Sequence, residues 1–158
     1  MKKENFPLII LALLIILLLT IGVFIVSFLP KKQETATKPP TVTIGGKIIN
    51  VEVADSPEER EKGLSGRDYL GEGAGMIFVF EEKGYPTFWM KSVKFPLDMV
   101  WVNENRIVDI THNAKVEEKS SNLTIYKPKE SVNYVLEVKA GFTQENNIKI
   151  GDLVELVL

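Results

Sequence analysis

Thr41-Val42-Thr43-Ile44-Gly45-Gly46-Lys47-Ile48-Ile49-Asn50-Val51-Glu52-Val53-Ala54 is the stretch from which the fold class follows. Two runs rich in β-branched side chains flank a Gly-Gly pair, which supplies the positive φ that a two-residue hairpin turn needs. Along the second run Ile49, Val51 and Val53 alternate with Ile48, Asn50 and Glu52, the period of a strand with one buried face. Immediately downstream, Ser56 stands where a helix N-cap belongs, Pro57 at N1 and Glu59 at N3, a capping box, with Gly63 placed to end the helix. The spacing predicts a helix of about two turns with a charged, solvated surface.

The same period continues along the chain. Glycines cluster at 63–75, so the backbone there turns tightly or passes close to other backbone. Met76–Phe80 is apolar on both faces and is expected to be a strand buried on both. Thr87–Lys91 reads as a strand with Phe88 and Met90 on one face and Thr87, Trp89 and Lys91 on the other. Leu97–Val102 turns at Asn103-Glu104-Asn105 into Arg106–Ile110, and Val132–Val138 alternates again. Ala140–Asn147 fits a short helix, and Ile148–Val157, broken by Gly151-Asp152, a hairpin or bent strand. Seven or eight short strands with one or two short helices predict a mainly-β fold: a compact β-sandwich or barrel.

Upstream the character changes. Leu8–Leu29 holds no charged residue, and its 22 positions at 1.5 Å each span about 33 Å, enough to cross a hydrocarbon core. The run is too long for a cleaved signal peptide and lacks a small-x-small site, so residues 1–30 read as a retained single-pass signal-anchor, a transmembrane helix. Lysines flank both ends, so the positive-inside rule does not orient the segment by itself. A short tail followed by a whole domain places the tail in the cytoplasm and the C-terminal domain outside the cell membrane. Residues 31–40, KKQETATKPP, form a semi-extended linker, and 41–158 the globular domain.

Charge and composition exclude several functions. The 158-residue chain carries net −2, but residues 1–40 carry +3 and residues 41–158 carry −5, with 14 Lys/Arg against 19 Asp/Glu. Neutralising phosphates needs a basic face, so no nucleic-acid partner is expected. The absence of cysteine removes disulfides, thiolate nucleophiles and cysteine-based metal centres.

Several markers stand in order: Gly63-Leu64-x-Gly66-Arg67, Gly75-Met76-x-Phe78-Val79-Phe80, Phe88-Trp89-Met90-Lys91, Pro96-Leu97-Asp98 and Val135-Leu136-Glu137-x-x-Ala140-Gly141. Residues 50–155 therefore resemble the family of domain of unknown function 192. The resemblance implies an all-β, jelly-roll-like domain, often secreted or membrane-tethered, and it implies no particular activity. Many relatives carry Asn-Thr where this chain has Ser92-Val93, and segment 112–126 is more polar here than the family pattern.

The residues able to carry chemistry are few. His112 is the sole histidine, and Ser120 and Ser121 lie near it in sequence without a nucleophile-elbow motif. Asp98 and Glu137 each interrupt an apolar strand. Such a carboxylate either faces solvent or is held by a cation such as Arg67 or Lys91. As a pair they are the acid and base of a possible hydrolase. Met76, Met90 and Met99 with His112 and Trp89 would make a soft Cu(I) site if they met in space, though methionine in apolar strands ordinarily fills gaps. No cofactor is expected. Trp89, Lys91 and Asp98, with Arg67 in the glycine-rich turn, can instead form a recognition pocket, the alternative being a core tryptophan with a bonded indole N–H. The leading expectation is a non-enzymatic, membrane-tethered binding module, its ligand site at Arg67, Trp89, Lys91, Asp98 and Glu137, taking a small ligand or a protein partner.

Overall fold

A computed structural model describes residues 38–117 and 123–158. The apolar run 8–29, most of the linker, and Ser120 and Ser121 lie outside the described residues. Among those described, no helix is long and apolar enough to cross a membrane.

The hairpin forms where the Gly-Gly pair placed it: β1 (Thr41–Ile44) pairs antiparallel with β2 (Lys47–Ala54) through Gly45 and Gly46, at φ 56° and 76°. Helix α1 (Pro57–Lys62) begins at the expected capping box, the Glu59 N–H donating to Ser56 Oγ and the Ser56 N–H to Glu59 Oε2. Then come β3 (Ala74–Gly84), β4 (Leu97–Asn103), β5 (Arg106–Ala114), β6 (Val132–Lys139), α2 (Phe142–Glu145) and β7 (Val154–Val157). All seven strands join one sheet in the order β5-β4-β6-β3-β2-β1-β7. Only β2 and β3 run parallel, because α1 and the glycine-rich loop carry the chain back to the starting edge.

The sheet is a curled half-barrel. Its outer strands approach each other through an Arg106–Leu153 bridge, with the Ile107 N–H donating to Asp152 O and the Gly151 N–H to Ile107 O. A sandwich or jelly roll needs a second sheet, and among the described residues there is one sheet only. The sequence signal, apolar side chains on both faces of the central strands, arises because each face carries its own core. The concave face buries Val51, Ile77, Val100, Val102, Leu136 and Val138. The convex face buries Met76, Phe78, Met99, Trp101 and Val135 beneath Leu64, Met90 and Val93 from the connecting loops.

One expected strand is absent from the sheet. Thr87–Lys91 crosses the convex face and pairs only through Phe88, which exchanges both backbone bonds with Tyr126 at 2.9 Å. The alternation still places side chains as predicted. Phe88 packs edge-on between Phe78 and Trp101, at centroid distances of 4.8 and 5.5 Å, and Met90 is fully buried.

Gly75 shows how closely the curl packs. A Cβ there would lie 2.8 Å from Glu137 O, 3.2 Å from Leu136 Cδ1 and 3.3 Å from Ile49 Cγ2. Gly75→Ala is therefore expected to lower the unfolding free energy by about 1–3 kcal/mol through overpacking. Denaturant titration should show a lower midpoint at unchanged slope. An unchanged midpoint would mean that β3 and β6 are not so close.

Candidate functional site

Glu137 lies on β6 with Met76 of β3 and Met99 of β4 as its cross-strand partners. Cross-strand partners share a face, so Glu137 belongs to the convex side, among sulfur and aromatic side chains. It is 4 % exposed. Among the described residues no cation or hydrogen-bond donor stabilises its charge, and burial alone pushes its carboxyl up to about 8.

Above Glu137 the sequence builds a cleft of about 270 Å³. Phe78 and Phe80 of β3 line it from the sheet, and Pro86, Thr87, Phe88 and Trp89 from the crossing segment. The C-terminal end of α1 lines the rest, with Arg60, Glu61 and Lys62. Gly63 ends the helix at φ 47°, and its ideal Cβ would stand 3.3 Å from the Phe78 ring, so a side chain there would push α1 off the wall. Ser65 Oγ donates to Lys91 O at 3.0 Å and the Gly66 N–H to Ser92 O at 2.8 Å, tying the glycine-rich turn to the crossing segment. Arg60 is already engaged. Its Nη1 donates to Val79 O at 2.9 Å and to Asp55 O, and its guanidinium lies 5.2 Å from the Phe80 centroid. Trp89 is 38 % exposed and also borders a shallower groove with Glu58, Lys91 and Ser92.

The five candidate residues divide. Trp89 and Glu137 meet in the cleft, and Lys91 borders the adjoining groove. Arg67 lines neither. It forms a two-pronged ion pair with Glu52 on β2, Nη2 to Oε2 at 2.6 Å and Nη1 to Oε1, and this bond holds the Glu52 carboxyl below its ordinary range. Asp98 pairs with Val138 across β4 and β6, whereas Glu137 pairs with Met99. The two carboxylates thus point to opposite faces of the sheet, and they do not assemble as an acid–base pair.

Asp98 is fully buried on the concave side, satisfied by three donors and no cation. The Asn113 N–H reaches Oδ1 at 2.9 Å, and the Thr143 N–H and Oγ1 reach Oδ2 at 3.0 and 2.6 Å. His112, on β5, has Nδ1 2.9 Å from Thr143 Oγ1. The single hydroxyl proton of Thr143 goes to Asp98, so Nδ1 is the donor in the second bond. The soft-metal set is divided likewise. Met76, Met90 and Met99 pack on the convex side, while His112 bonds Thr143 on the other.

Sequence reading missed Phe78, Phe80, Phe88 and the end of α1 as walls of the site. The aromatic spacing of Phe78 and Phe80 was visible, but it reads equally as core.

The comparisons agree with this architecture. The chain is similar to a protein of unknown function from Novosphingobium aromaticivorans DSM 12444, with 34 % identity over 74 % of this chain and 83 % of that one, TM-score 0.66. It is also similar to a protein from Sinorhizobium meliloti 1021 described as a candidate transcription regulator, with 31 % identity over 78 % and 97 % of the two chains, TM-score 0.68. No curated protein matches the chain. Residues 40–156 match the family described as Uncharacterized ACR, DUF192, and the chain belongs to that family of uncharacterised domains.

Proposed function

We propose that this chain is a binding module, tethered outside the cell membrane by residues 8–29, whose convex-face cleft takes a small ligand. The observation that carries the reading is Glu137: a residue 4 % exposed, with no cation or hydrogen-bond partner for its carboxyl among the described residues, on the wall of an aromatic cleft open to solvent. Desolvation disfavours the charged form of this carboxyl, and a ligand group bonding to it would offset that penalty. A few polar groups converging in a mostly apolar cavity is the usual composition of small-molecule sites. The hydrolase reading loses support, because Asp98 and Glu137 are on opposite faces. The regulator description of the Sinorhizobium protein is not carried over, because residues 41–158, with 14 Lys/Arg against 19 Asp/Glu, are acidic on balance and disfavour a polyphosphate partner.

The test is a thermal-shift panel on the full chain in non-ionic detergent, covering metals including Ag(I), sugars, peptides, nucleotides, amines and lipid head groups. A ligand present at about 100 times its Kd adds roughly 2.7 kcal/mol, a shift of several degrees in a domain of this size. Trp89→Ala is expected to abolish the shift while leaving the unliganded Tm within a degree or two, because Trp89 is one of the cleft's exposed walls. A panel in which nothing shifts, or whose hits survive Trp89→Ala, would remove the cleft from consideration.

A further inference from the structure

We propose that the ligand of this cleft is an organic cation, an ammonium or guanidinium head seated against Glu137 with its apolar body against Phe78, Phe88 and Trp89. The inference rests on reading the cleft as a ligand site and names the chemistry that site selects. An ionised carboxylate accepts only, and aromatic faces carry the negative part of their quadrupole, so both favour a cation, more strongly where water is excluded.

The other ligand classes fit less well. An anion seated against Glu137 would only hold the carboxyl in its protonated, neutral form and could make no ion pair with it. A sugar would need many polar partners, and the side-chain hydroxyls lining the cleft are those of Ser65 and Thr87. Besides Glu137, the charged residues lining the cleft among the described residues are Arg60, Glu61 and Lys62 of α1. Arg60 is committed to Val79 O, Asp55 O and the Phe80 ring, and Glu61 opposes Lys62 in charge. The sheet neighbours Met76 and Met99 do not titrate, and Lys91 borders the adjoining groove. Neither Arg60 nor Lys62 contributes to the shift of Glu137, which burial alone produces, so among the described residues no cation pairs with it.

Proton balance follows from the burial of the acid. Held near 8, Glu137 carries its proton at pH 7 in the empty cleft. A cation seated beside it favours the carboxylate, so the carboxyl O–H breaks, the proton leaves to solvent, and an ammonium–carboxylate pair forms. Binding at pH 7 should release up to one proton per ligand.

Three probes of one shape test this: phenethylammonium, 2-phenylethanol and phenylacetate, titrated calorimetrically into the full chain in amine-free non-ionic detergent. The cation is expected to bind roughly tenfold or more tightly than the alcohol, and the anion weakest. The heat with the cation should vary with buffer ionisation enthalpy as proton release requires. In Glu137→Gln the preference for the cation over the alcohol should vanish and the buffer dependence with it. Equal affinity for the cation and the alcohol, a preference that survives Glu137→Gln, or no binding by any of the three each overturns the cation assignment. The broader reading fails separately, when no member of the wider panel gives a Trp89-dependent shift.

Discussion

Glu137→Gln is expected to remove a fall in stability of about 3 kcal/mol that the native chain undergoes between pH 5 and pH 8. The sign follows from where the proton sits. Burial raises the folded-state pKa of Glu137 from an ordinary 4.5 to about 8. Below 4.5 both states are protonated and the group contributes nothing. Between the two values the unfolded chain has lost the proton that the folded chain retains. The folded state then binds more protons, and stability declines as pH rises, levelling off above about 8. The groups with lowered pKa act elsewhere. Glu52, Glu59, Asp68 and Glu104 are held down first by hydrogen bonds from Arg67, Ser56, Lys94 and Lys83 respectively. Their contribution is present above the ordinary carboxylate range and is lost on acidification below it, outside the window in question. Glutamine keeps the shape without ionising, so the variant's profile should be flat from pH 5 to 8, and it should be the more stable protein at pH 8. Denaturant midpoints at half-unit pH steps measure this. Parallel slopes for the two proteins would show that Glu137 ionises freely and that the cleft floor is wet.

What the sequence made legible, and what it did not, divides along local and non-local physics. The β1–β2 hairpin and the capping box of α1 are decided by residues within four positions of one another, and both stand where they were read. Thr87–Lys91 alternates correctly but is not a sheet strand, since alternation assigns faces and says nothing about a pairing partner. Asp98 and Glu137 look alike in sequence, each a carboxylate within an apolar strand. They differ by the register of β4 against β6, which turns one toward the concave core and the other toward the cleft. The number of strands was readable, whereas closure of one sheet as against two packed sheets was not. Both arrangements bury the central strands on two sides and leave the same run of apolar residues. Arg67 was read beside a buried carboxylate and is instead paired with the half-exposed Glu52. The cleft walls come from residues 60–65, 78, 80, 86–89, 93 and 137, which only the folded chain brings together.

Asp98→Ala is expected to cost about 3–5 kcal/mol of unfolding free energy, the largest single-site effect on stability predicted for this chain. The carboxylate is fully buried and accepts three hydrogen bonds, each a charge-assisted contact of a kind that contributes about 1.5–3 kcal/mol. Removing it strands the Asn113 and Thr143 N–H groups away from water, and frees the Thr143 hydroxyl that orders His112. Asn113 holds a left-handed φ of 52°, so the β5 end is fixed there partly by this bond. Helix α2 has no side-chain cap of its own at Gly141, and Asp98 receives the Thr143 N–H from across the core in place of one. Asp98→Asn should cost less. It retains one acceptor oxygen, but its amide turns a donor toward a donor on one side. Denaturant titration of both variants measures the order, Ala below Asn below native. The position of Asp98 also makes a claim about function, because it lies on the face of the sheet away from the cleft. Asp98→Asn that still folds should therefore bind any cleft ligand with unchanged affinity, whereas a catalytic acid at this position would abolish turnover without loss of stability. A folded Asp98→Asn of native stability that had lost ligand binding would defeat the division of the two carboxylates between the faces. The expected pattern, weakened folding with intact binding, assigns Asp98 to fixing the end of β5 and the start of α2 against β4 and leaves Glu137 as the carboxyl that meets the ligand.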